Sequence, residues 1–365
     1  MELREQIGLT VKHQETVQLA PTSIIIVNYN TKEKLLGCLS SVSQAIPPNC
    51  EVIVVDNASS DGSAEAVEAD FPEVILIRSA KNLGFGAGNN TAVPKAQGRY
   101  LVFLNPDTLV ERGWIEALLA PLEADSQIGL VTARILLADQ RDRISACGNT
   151  IHLTGLSLCR GLGYPRDTFN VLEEVDSVSG AAFAIRRELL ELLDGFDEDT
   201  FLYMEDTDLS WRARLAGWRC VYTPNSTVFH EYSLKITPLK IFYQERNRYV
   251  MLLKSLKWPT LLILFPAHLL AEMITWGFVL WSDRANLSNK VRAYRWIIAN
   301  WSAIMQKRKR VQSLRRITDR ELLRRTSYSL DFGQAGKGPV ASLARFIFNP
   351  IFFVLRRITL IIVRW

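Results

Sequence analysis

Short apolar runs alternate with helical stretches between residues 23 and 107, and this rhythm constrains the fold more than any other feature of the chain. The runs typical of buried strands are Ser23–Asn30, Glu51–Asp56, Val74–Ser79 and Tyr100–Asp107, and helical spacing of apolar residues marks Lys32–Val42 and Ala64–Ala69. Strands and helices that alternate at this spacing form βαβ units. The sequence therefore predicts an α/β fold with a mostly parallel central sheet flanked by helices.

Three of these strands end in polar residues, at Asn28 to Asn30, at Asp56-Asn57 and at Asn105-Pro106-Asp107. Pro106 has no backbone N–H, so we expect the fourth strand to stop there and to leave Asp107 on a loop. In open α/β sheets, ligands bind where the strands reach their carboxyl ends. Asn-Pro-Asp also suits an ordinary type I turn, so this stretch alone leaves a turn and a ligand site equally open.

The glycine-rich stretch GFGAGNN (Gly84–Asn90) resembles a dinucleotide-binding fingerprint only superficially. That fingerprint joins the first strand to the first helix, whereas this stretch follows the third strand and has G-x-G-x-G spacing. An NAD site is therefore not favoured. We expect a glycine-rich loop that leads into a helix and lets the backbone approach a ligand closely, with a flexible surface loop as the alternative.

The segment MEDTDLSWRARLAGW (Met204–Trp218) predicts a helix with Asp206 as its N-cap and Gly217 at its C′ position. Glu205, Asp206 and Asp208 could simply complement the helix dipole. Three acids within four residues also repel one another, which raises a carboxyl pKa and often marks the site of a base or a metal. Downstream, His230 closes another apolar stretch. A lone histidine is commonly structural, but a neutral imidazole beside a carboxylate suits a divalent metal.

Composition and the chain start narrow the class of protein. Hydrophobic residues make up 48% of the chain and charged residues 22%, which excludes wholesale disorder. The five cysteines are scattered and form no C-x-x-C pair, so we interpret them as reduced thiols of a cytosolic protein. Residues 1–20 read as a polar tail without the apolar stretch of a signal peptide.

The chain changes character after Pro238. Residues 258–281 are strongly apolar and long enough to span a bilayer, but Pro259, Pro266, His268 and Glu272 interrupt them. We therefore expect a helical region that lies on a membrane, with a helical hairpin packed on the core as the alternative. The expected headgroup anchors are Trp258, Trp276, Trp281, Trp296 and Trp301. The basic run Lys307–Arg325 would face anionic lipid, and residues 346–365 would add a second apolar contact.

The order of these motifs, SIIIVNYN, EVIVVDNASSDGS, NLGFGAGNN, YLVFLNPD, SGAAFAIRR and GFDEDTFLYMEDTDLSWR, followed by GW and a histidine, resembles a family 2 glycosyltransferase of the GT-A fold. The likeness is greatest to the rhamnosyltransferase-like branch that builds bacterial cell-surface polysaccharides, and it covers about Pro21 to Ser233. The expected organisation is a polar tail (1–20), a GT-A catalytic domain (21–235), a helical, basic, membrane-associating region (236–330) and an apolar tail (331–365).

The resemblance implies roles for particular residues. Asp56 would contact the nucleobase, Asp107 would bind a divalent metal (Mg²⁺ or Mn²⁺) and the donor diphosphate, and His230 would complete the metal site. Of the Glu205-Asp206 pair, Asp206 would be the catalytic base. The usual Asp-x-Asp is replaced by Asn105-Pro106-Asp107, although Mg²⁺ commonly uses few carboxylates together with substrate phosphates. The candidates for donor contact are Asn28, Asn30, Asp56, Asn57, Asn82, Gly84, Asn89, Asn105 and Asp107.

These expectations describe an inverting glycosyltransferase that moves a sugar from a nucleoside-diphosphate-sugar to a hydroxyl of a lipid-linked saccharide, with rhamnose as the sugar the resemblance favours. It would be peripheral or monotopic on the cytoplasmic face of the cell membrane, and no nucleic acid partner is expected. One alternative is a sugar-nucleotide pyrophosphorylase, which should carry a glycine-rich basic loop directly after the first strand; VNYNTKEK contains no glycine. The other is a non-catalytic membrane-bound nucleotide-sugar-binding module, which would not need Glu205-Asp206 and His230 together.

Overall fold

The computed structural model describes residues 21–231, 238–282, 287–331, 334 and 339–365; the predicted tail 1–20 lies outside them. The strands are β1 (Thr22–Asn28), β2 (Cys50–Asp56), β3 (Ile75–Arg78), β4 (Tyr100–Leu104), β5 (Thr108–Val110), β6 (Ile128–Leu137), β7 (Ile144–Ala146), β8 (Asn149–Ile151), β9 (Ser157–Cys159), β10 (Glu173–Glu174), β11 (Ala182–Arg186) and β12 (Arg219–His230). The helices are α1 (Lys32–Ser43), α2 (Ser63–Asp70), α3 (Gly84–Ala92), α4 (Trp114–Ala124), α5 (Arg187–Leu192), α6 (Glu205–Leu215), α7 (Pro238–Ser255), α8 (Trp258–Ile263), α9 (Phe265–Ser282), α10 (Leu287–Ala299), α11 (Trp301–Ser313), α12 (Asp319–Arg324) and α13 (Pro339–Ile362), and a 3₁₀ turn spans Glu198–Thr200.

A central sheet with the strand order β10-β12-β6-β11-β4-β1-β2-β3 organises the molecule, with β5 on β12 and β7 on β6. The strands β1, β2, β3, β4, β6 and β12 run in one direction, whereas β5, β7, β10 and β11 oppose them. The α/β architecture with a mostly parallel sheet, predicted from the apolar rhythm, is confirmed. Strands β1 and β4 are buried along their length because helices cover both faces of the sheet.

The glycine-rich stretch differs from its prediction, because α3 begins at Gly84 itself, so that the glycines lie within the helix and not in the loop before it. A Cβ at Gly88 would lie 2.9 Å from a methyl group of Val27 on β1, and one at Gly86 would lie 3.1 Å from Phe196. The missing side chains therefore allow the first turns of α3 to pack directly on the sheet, which a glycine pattern read as a loop does not reveal.

The C-terminal helices share a core with the α/β domain. Trp211 and Leu215 of α6 cluster with Leu252 of α7, Leu264 between α8 and α9, and Phe352 of α13. The apolar run 258–281 is thus split into α8 and α9. Across the described part of the chain, no helix combines the length and the hydropathy that crossing a membrane requires.

Candidate active site

The ends of three parallel strands bring the predicted polar residues to one edge of the sheet. In the register of β1 and β2, Asn28 pairs with Asp56. Strand β4 pairs with β1 on its other side and ends at Leu104, so Asn105 and Asp107 follow at the same edge. The position predicted for these side chains agrees with the strand register.

Around Asp56, the polar residues hold two loops together. Asn28 Nδ2 donates to Ser59 Oγ (3.1 Å) and lies 3.4 Å from Asp56 Oδ1, and the N–H of Ser59 donates to Asp56 Oδ2 (3.1 Å). The N–H of Ser60 donates to Asn30 Oδ1 (2.7 Å). Ser59 was not among the predicted residues, since a serine in a loop carries no distinguishing pattern.

Asn57, Asn82 and Gly84 form a second cluster behind this edge. Asn57 Nδ2 donates to Asn82 Oδ1 (3.0 Å) and to the carbonyl of Gly84 (3.1 Å), and Asn57 Oδ1 accepts from the N–H of Leu83 (2.8 Å). Asn89 is buried within α3 and donates to the carbonyl of Phe85 (2.9 Å). The side-chain amides of Asn57 and Asn89 are hydrogen-bonded to other groups of the protein, so these two residues shape the loop that leads into α3.

Asp107 and His230 come together through a short antiparallel pairing. Strand β5 begins directly after Asp107 and pairs with the end of β12, so that His230 lies opposite Thr108. His230 Nε2 is 3.2 Å from Asp107 Oδ1. Burial alone would raise the pKa of Asp107, but the neighbouring His230 and Lys34 outweigh it and hold that pKa below its ordinary value. Asp107 is therefore an ionised carboxylate beside an imidazole.

Asp107 and His230 suit a divalent cation whose remaining coordination positions are filled by a substrate. A carboxylate oxygen and an imidazole nitrogen are both ligands of Mn²⁺, and Mg²⁺ is usually held by one or two carboxylates with substrate phosphates. Among the described residues, no group of three His, Cys, Asp or Glu side chains could hold a metal by itself. The residues present thus fit an open two-ligand site rather than a closed metal centre.

The acidic segment begins α6 in a way that differs from the prediction. The N-cap is Met204 in the left-handed region (φ 72°), and Asp206 lies inside the first turn, so its assignment as N-cap is wrong. Phe201 and Tyr203 also have positive φ, which turns the chain sharply into the helix. Gly217 follows the C-cap with φ 86°, as predicted for C′.

Asp206 is connected to the edge of the sheet by a hydrogen bond to the segment that directly precedes β11. Its Oδ2 accepts from the N–H of Gly180 (2.7 Å) and from Asn149 Nδ2 (3.1 Å). The next residue, Ala181, accepts at its carbonyl from the N–H of Asn105 (3.0 Å). The candidate base and the candidate metal-binding loop are therefore hydrogen-bonded to two adjacent residues, Gly180 and Ala181.

The two carboxyl groups of the acidic pair have different surroundings. Glu205 is buried, its Oε1 has no hydrogen-bond partner among the described residues, and burial together with Asp206 raises its pKa to about 8. Burial also raises the pKa of Asp206, although four donor contacts oppose the shift. Asp206 is the more exposed of the two and the more accessible to a second substrate.

Residues on α7 hold the loop that precedes this pair. Asn247 Nδ2 lies within 3.1 Å of the carbonyl oxygens of Thr200, Leu202 and Tyr203, and Arg246 donates to the carbonyl of Thr200 (2.8 Å). Lys34 belongs to the edge as well, through an ion pair with Glu231 (2.8 Å). Sequence reasoning missed Asn247, Arg246, Lys34 and Asn149, because none of them stands in a recognisable motif.

Two clefts open on this edge. One of about 210 Å³ is lined by Glu33, Lys34, Gly37, Asp107, Thr108, Leu109, Ala138, Phe229 and Glu231. The other, of about 360 Å³, is lined by Asn30, Thr31, Lys32, Glu33, Lys34 and Asp61. Lys34 borders both clefts and supplies a positive charge beside Asp107.

Comparison with known proteins identifies related sequences. Residues 23–193 match the model of glycosyl transferase family 2. The chain is 28% identical over 229 residues to the N-acetylglucosaminyl-diphospho-decaprenol L-rhamnosyltransferase of Mycobacterium tuberculosis, which covers 57% of this chain and 75% of that protein.

Solved structures with the same fold include S. aureus TarS 1–349 in complex with UDP-GlcNAc, with a TM-score of 0.53 and 17% identity over 92% of this chain and 90% of that one. GalNAc-T7 with UDP, GalNAc and Mn²⁺ has a TM-score of 0.53 and 19% identity over 65% of this chain and 48% of that one. The GT-A fold predicted from the sequence is therefore confirmed.

Proposed function

We propose that this chain is a family 2 glycosyltransferase, which transfers a sugar from a nucleotide sugar by an inverting, metal-dependent mechanism. The observation that carries this proposal is the shared attachment of Asp206 and the Asp107 loop to Gly180 and Ala181. It sets a carboxyl base beside the loop that would hold the donor diphosphate. A single displacement needs these two elements and no covalent intermediate.

In the proposed reaction, the acceptor hydroxyl attacks the anomeric carbon of the donor. A new C–O bond forms as the bond to the diphosphate oxygen breaks, the electron pair leaves with the nucleoside diphosphate, and the hydroxyl proton passes to Asp206. The hydroxyl of Thr207 has two acceptors in reach, Asp206 Oδ1 (3.1 Å) and Ser157 Oγ (3.2 Å). When the hydroxyl hydrogen of Thr207 points to Ser157, a lone pair of Asp206 Oδ1 becomes free to accept the proton of the acceptor hydroxyl.

Asp107 and His230 would hold the divalent metal, which when bound would neutralise charge on the departing diphosphate. Lys34 lies in the adjoining cleft and would add a second positive charge there. Asp56 would accept hydrogen bonds from the nucleobase, while Asn28, Asn57, Asn82 and Asn89 would keep the surrounding loops in place. The backbone groups of Asn30, Gly84 and Asn105 would complete the donor site.

The substrates we propose follow from the relatives. A protein named for rhamnosyl transfer to N-acetylglucosaminyl-diphospho-decaprenol favours a rhamnosyl donor and a saccharide acceptor on a polyprenyl diphosphate. Such an acceptor resides in a membrane, so the enzyme would work at its cytoplasmic face.

The experiment that tests the function is release of nucleoside diphosphate from a panel of sugar nucleotides, with and without a saccharide acceptor. A transferase releases the diphosphate faster with acceptor, whereas a pyrophosphorylase consumes the donor only with pyrophosphate, and a binding module releases nothing. The Asp206→Asn variant is the matched control, since it should still bind donor. Equal release by wild type and variant would overturn the assignment of the base.

A further inference from the structure

Helix α13 carries apolar side chains on its outward face as well as on its buried face, where Phe352 joins the shared core, and the buried face also holds polar residues. Asn349 and Thr359 point inward and are 8% and 4% exposed, whereas Val354 and Ile361 point outward and are 52% and 65% exposed. Asn349 is satisfied inside, where Nδ2 donates to Ser329 Oγ (2.9 Å) and Oδ1 accepts from the N–H of Leu330 (3.0 Å). Ile347, Val354 and Ile361 recur every seven residues on the outward face, with Ile358 beside them.

Helix α9, which contacts α13, is likewise apolar on its outward face as well as on its buried face, which carries Ala267, Ala271 and Val279. Its ionisable residues His268 and Glu272 face the protein, and Glu272 pairs there with Arg248 (2.6 Å) and Lys290 (2.9 Å). The outward side chains of α8 and α9 are Leu262, Phe265, Leu269 and Met273, of which Leu262 is 75% exposed. The residues that interrupt the apolar sequence therefore do not interrupt the apolar surface.

Inward polar groups and outward aliphatic groups are the arrangement that hydrocarbon favours. Helices exposed to water gain nothing from outward Leu, Ile, Val, Met and Phe side chains, of which α8, α9 and α13 together carry these eight. Apolar patches of this kind mark interaction sites. In a bilayer, ionisable residues face the protein interior and pair with one another, as Glu272, Arg248 and Lys290 do here.

The charge at this surface has one sign. The sequence from Pro339 to Trp365 contains four arginines and no acidic residue, and Arg345, Arg357 and Arg364 are exposed on α13 or at its end. Arginines beside an apolar helix face are the complement of anionic phospholipid headgroups. The exposed indoles of Trp258 and Trp301 stack on each other (ring centroids 6.0 Å apart) and offer an aromatic contact at headgroup level.

The other parts of the predicted membrane contact lie mostly against the protein. Trp276 stacks on Tyr294, and Trp296 lies under Arg246, so neither is a free anchor; the side chain of Trp281 lies outside the described residues. The basic run is partly engaged too, since Lys307 pairs with Asp199 (2.5 Å) and Arg315 with Asp319 (2.8 Å). The contact with lipid would fall on α8, α9 and α13 instead.

We propose that these outward side chains, Leu262, Phe265, Leu269, Met273, Ile347, Val354, Ile358 and Ile361, form a docking face that inserts into one leaflet of an anionic bilayer. The docking itself stands on the outward apolar faces of α8, α9 and α13, on the inward position of their polar groups and on the arginines. It rests on the proposed function only for its purpose, which is to hold the enzyme at the surface where a lipid-linked acceptor presents its sugar.

The test is flotation of the full chain with vesicles, without any substrate. We expect the wild type to float with phosphatidylcholine vesicles that contain phosphatidylglycerol, and less with pure phosphatidylcholine. The double variant Val354→Glu/Ile361→Glu should lose about tenfold or more in binding, because it places two carboxylates on the docking face. The matched control is Val171→Glu/Leu172→Glu, which makes the same change at two exposed apolar residues of the catalytic domain and should float like the wild type.

Three results would overturn the proposal. The wild type could stay in the aqueous fraction with both kinds of vesicle, or the control could lose binding as much as the α13 variant. The third is a wild type that is dimeric in solution and a Val354→Glu/Ile361→Glu variant that is monomeric, since the face would then be covered by a second copy. Release of nucleoside diphosphate measured without vesicles separates this proposal from the function: loss of flotation with retained release rejects the docking face alone, and flotation without release rejects the transferase alone.

Discussion

His230 Nε2 lies 3.2 Å from Asp107 Oδ1, although Asp107 precedes β5 and His230 ends β12. Their contact depends on the three-residue strand β5, which pairs with β12 directly after Asp107. The chain has Asn105 where the resemblance implies a second carboxylate, and His230 supplies an imidazole beside Asp107. Three neighbouring charges, Asp107, Lys34 and Glu231, surround it.

Asp107→Ala and His230→Ala should each weaken donor binding by at least about tenfold, because each removes one of two candidate metal ligands. Chelation with EDTA should have the same effect on the wild type, and added Mn²⁺ should restore it. The measurement is the rise in melting temperature caused by the sugar nucleotide, since a ligand that binds only the folded state stabilises it. Asp142→Ala, at an exposed ion pair with Arg143, is the control. Full donor binding after chelation would contradict the metal site.

Asp206→Asn should lower turnover by about 10²–10⁴-fold with donor binding retained, because an amide cannot take the acceptor proton. Turnover is measured as nucleoside diphosphate release per folded molecule. The matched control is Asp208→Asn, two residues along the same helix, where the carboxylate pairs with Arg212 (2.7 Å) and Lys254 (2.7 Å). That control should lose stability and keep its turnover per folded molecule. If both variants kept more than about a tenth of the turnover, Asp206 would not be the base.

The elements that sequence reasoning located are those whose order follows from local periodicity. Strands β1 to β4 and helices α1 and α2 lie within a few residues of their predicted bounds, because apolar runs and helical spacing are properties of consecutive residues. The edge formed by Asn28, Asp56 and Asp107 follows from the same rhythm, since parallel strands place their carboxyl ends together.

What could not be predicted depends on contacts between distant segments. The pairing of β5 with β12, which unites Asp107 and His230, involves three residues whose sequence resembles a turn. Asn149 and Asn247 reach the acidic pair from β8 and α7 and belong to no motif. The outward apolar faces of α9 and α13 also escape sequence analysis, because the sequence pattern does not show which face of a helix meets the protein.

Gly84→Ala should destabilise the protein by about 2 kcal/mol or more and lower its activity. Gly84 has φ 81°, and a Cβ there would lie 2.2 Å from the carbonyl oxygen of Phe201, which accepts from the N–H of Phe85 (2.7 Å). The substitution would push the loop before Glu205 away from α3. Gly113→Ala is the matched control, with φ 76° and open space around the position, and should cost only about 1 kcal/mol of backbone strain. Chemical denaturation of both variants gives the comparison; equal losses would contradict the steric argument.

Asn247→Leu should lower kcat more than it raises the KM for donor, because the carbonyl groups of Leu202 and Tyr203 would lose the amide that donates to them and Thr200 would lose one of its donors. A loss of about 1–3 kcal/mol in stability should accompany it. The matched control is Asn349→Leu, a second buried asparagine, which bonds Ser329 and Leu330 far from the acidic pair. Both variants should melt earlier than the wild type in thermal unfolding, and steady-state kinetics with a water-soluble acceptor should show the loss of kcat only for Asn247→Leu. Equal kcat losses would mean that Asn247 has no positioning role.

Glu205→Gln should stabilise the protein at alkaline pH and leave it unchanged at acid pH. The pKa of Glu205 is raised to about 8 by burial and by Asp206, whereas an unfolded glutamate has a pKa of about 4.3. Between these values the folded state holds a proton that the unfolded state has released, so the free energy of unfolding falls as pH rises through this window. Glutamine cannot titrate, and the variant escapes this loss.

The measurement is the melting temperature of the wild type and of Glu205→Gln from pH 5 to pH 8.5. The difference should be smallest at pH 5 and should reach at least about 2 °C in favour of the variant above pH 8. Asp176, whose pKa burial raises to about 6, titrates in both proteins and cancels from the difference. Because Asp206 contributes to the shift, repeating the pair of curves with Asp206→Asn in both proteins should narrow the window. Parallel curves across the whole range would show that Glu205 ionises normally, and that the acidic pair is open to water rather than held in a buried turn.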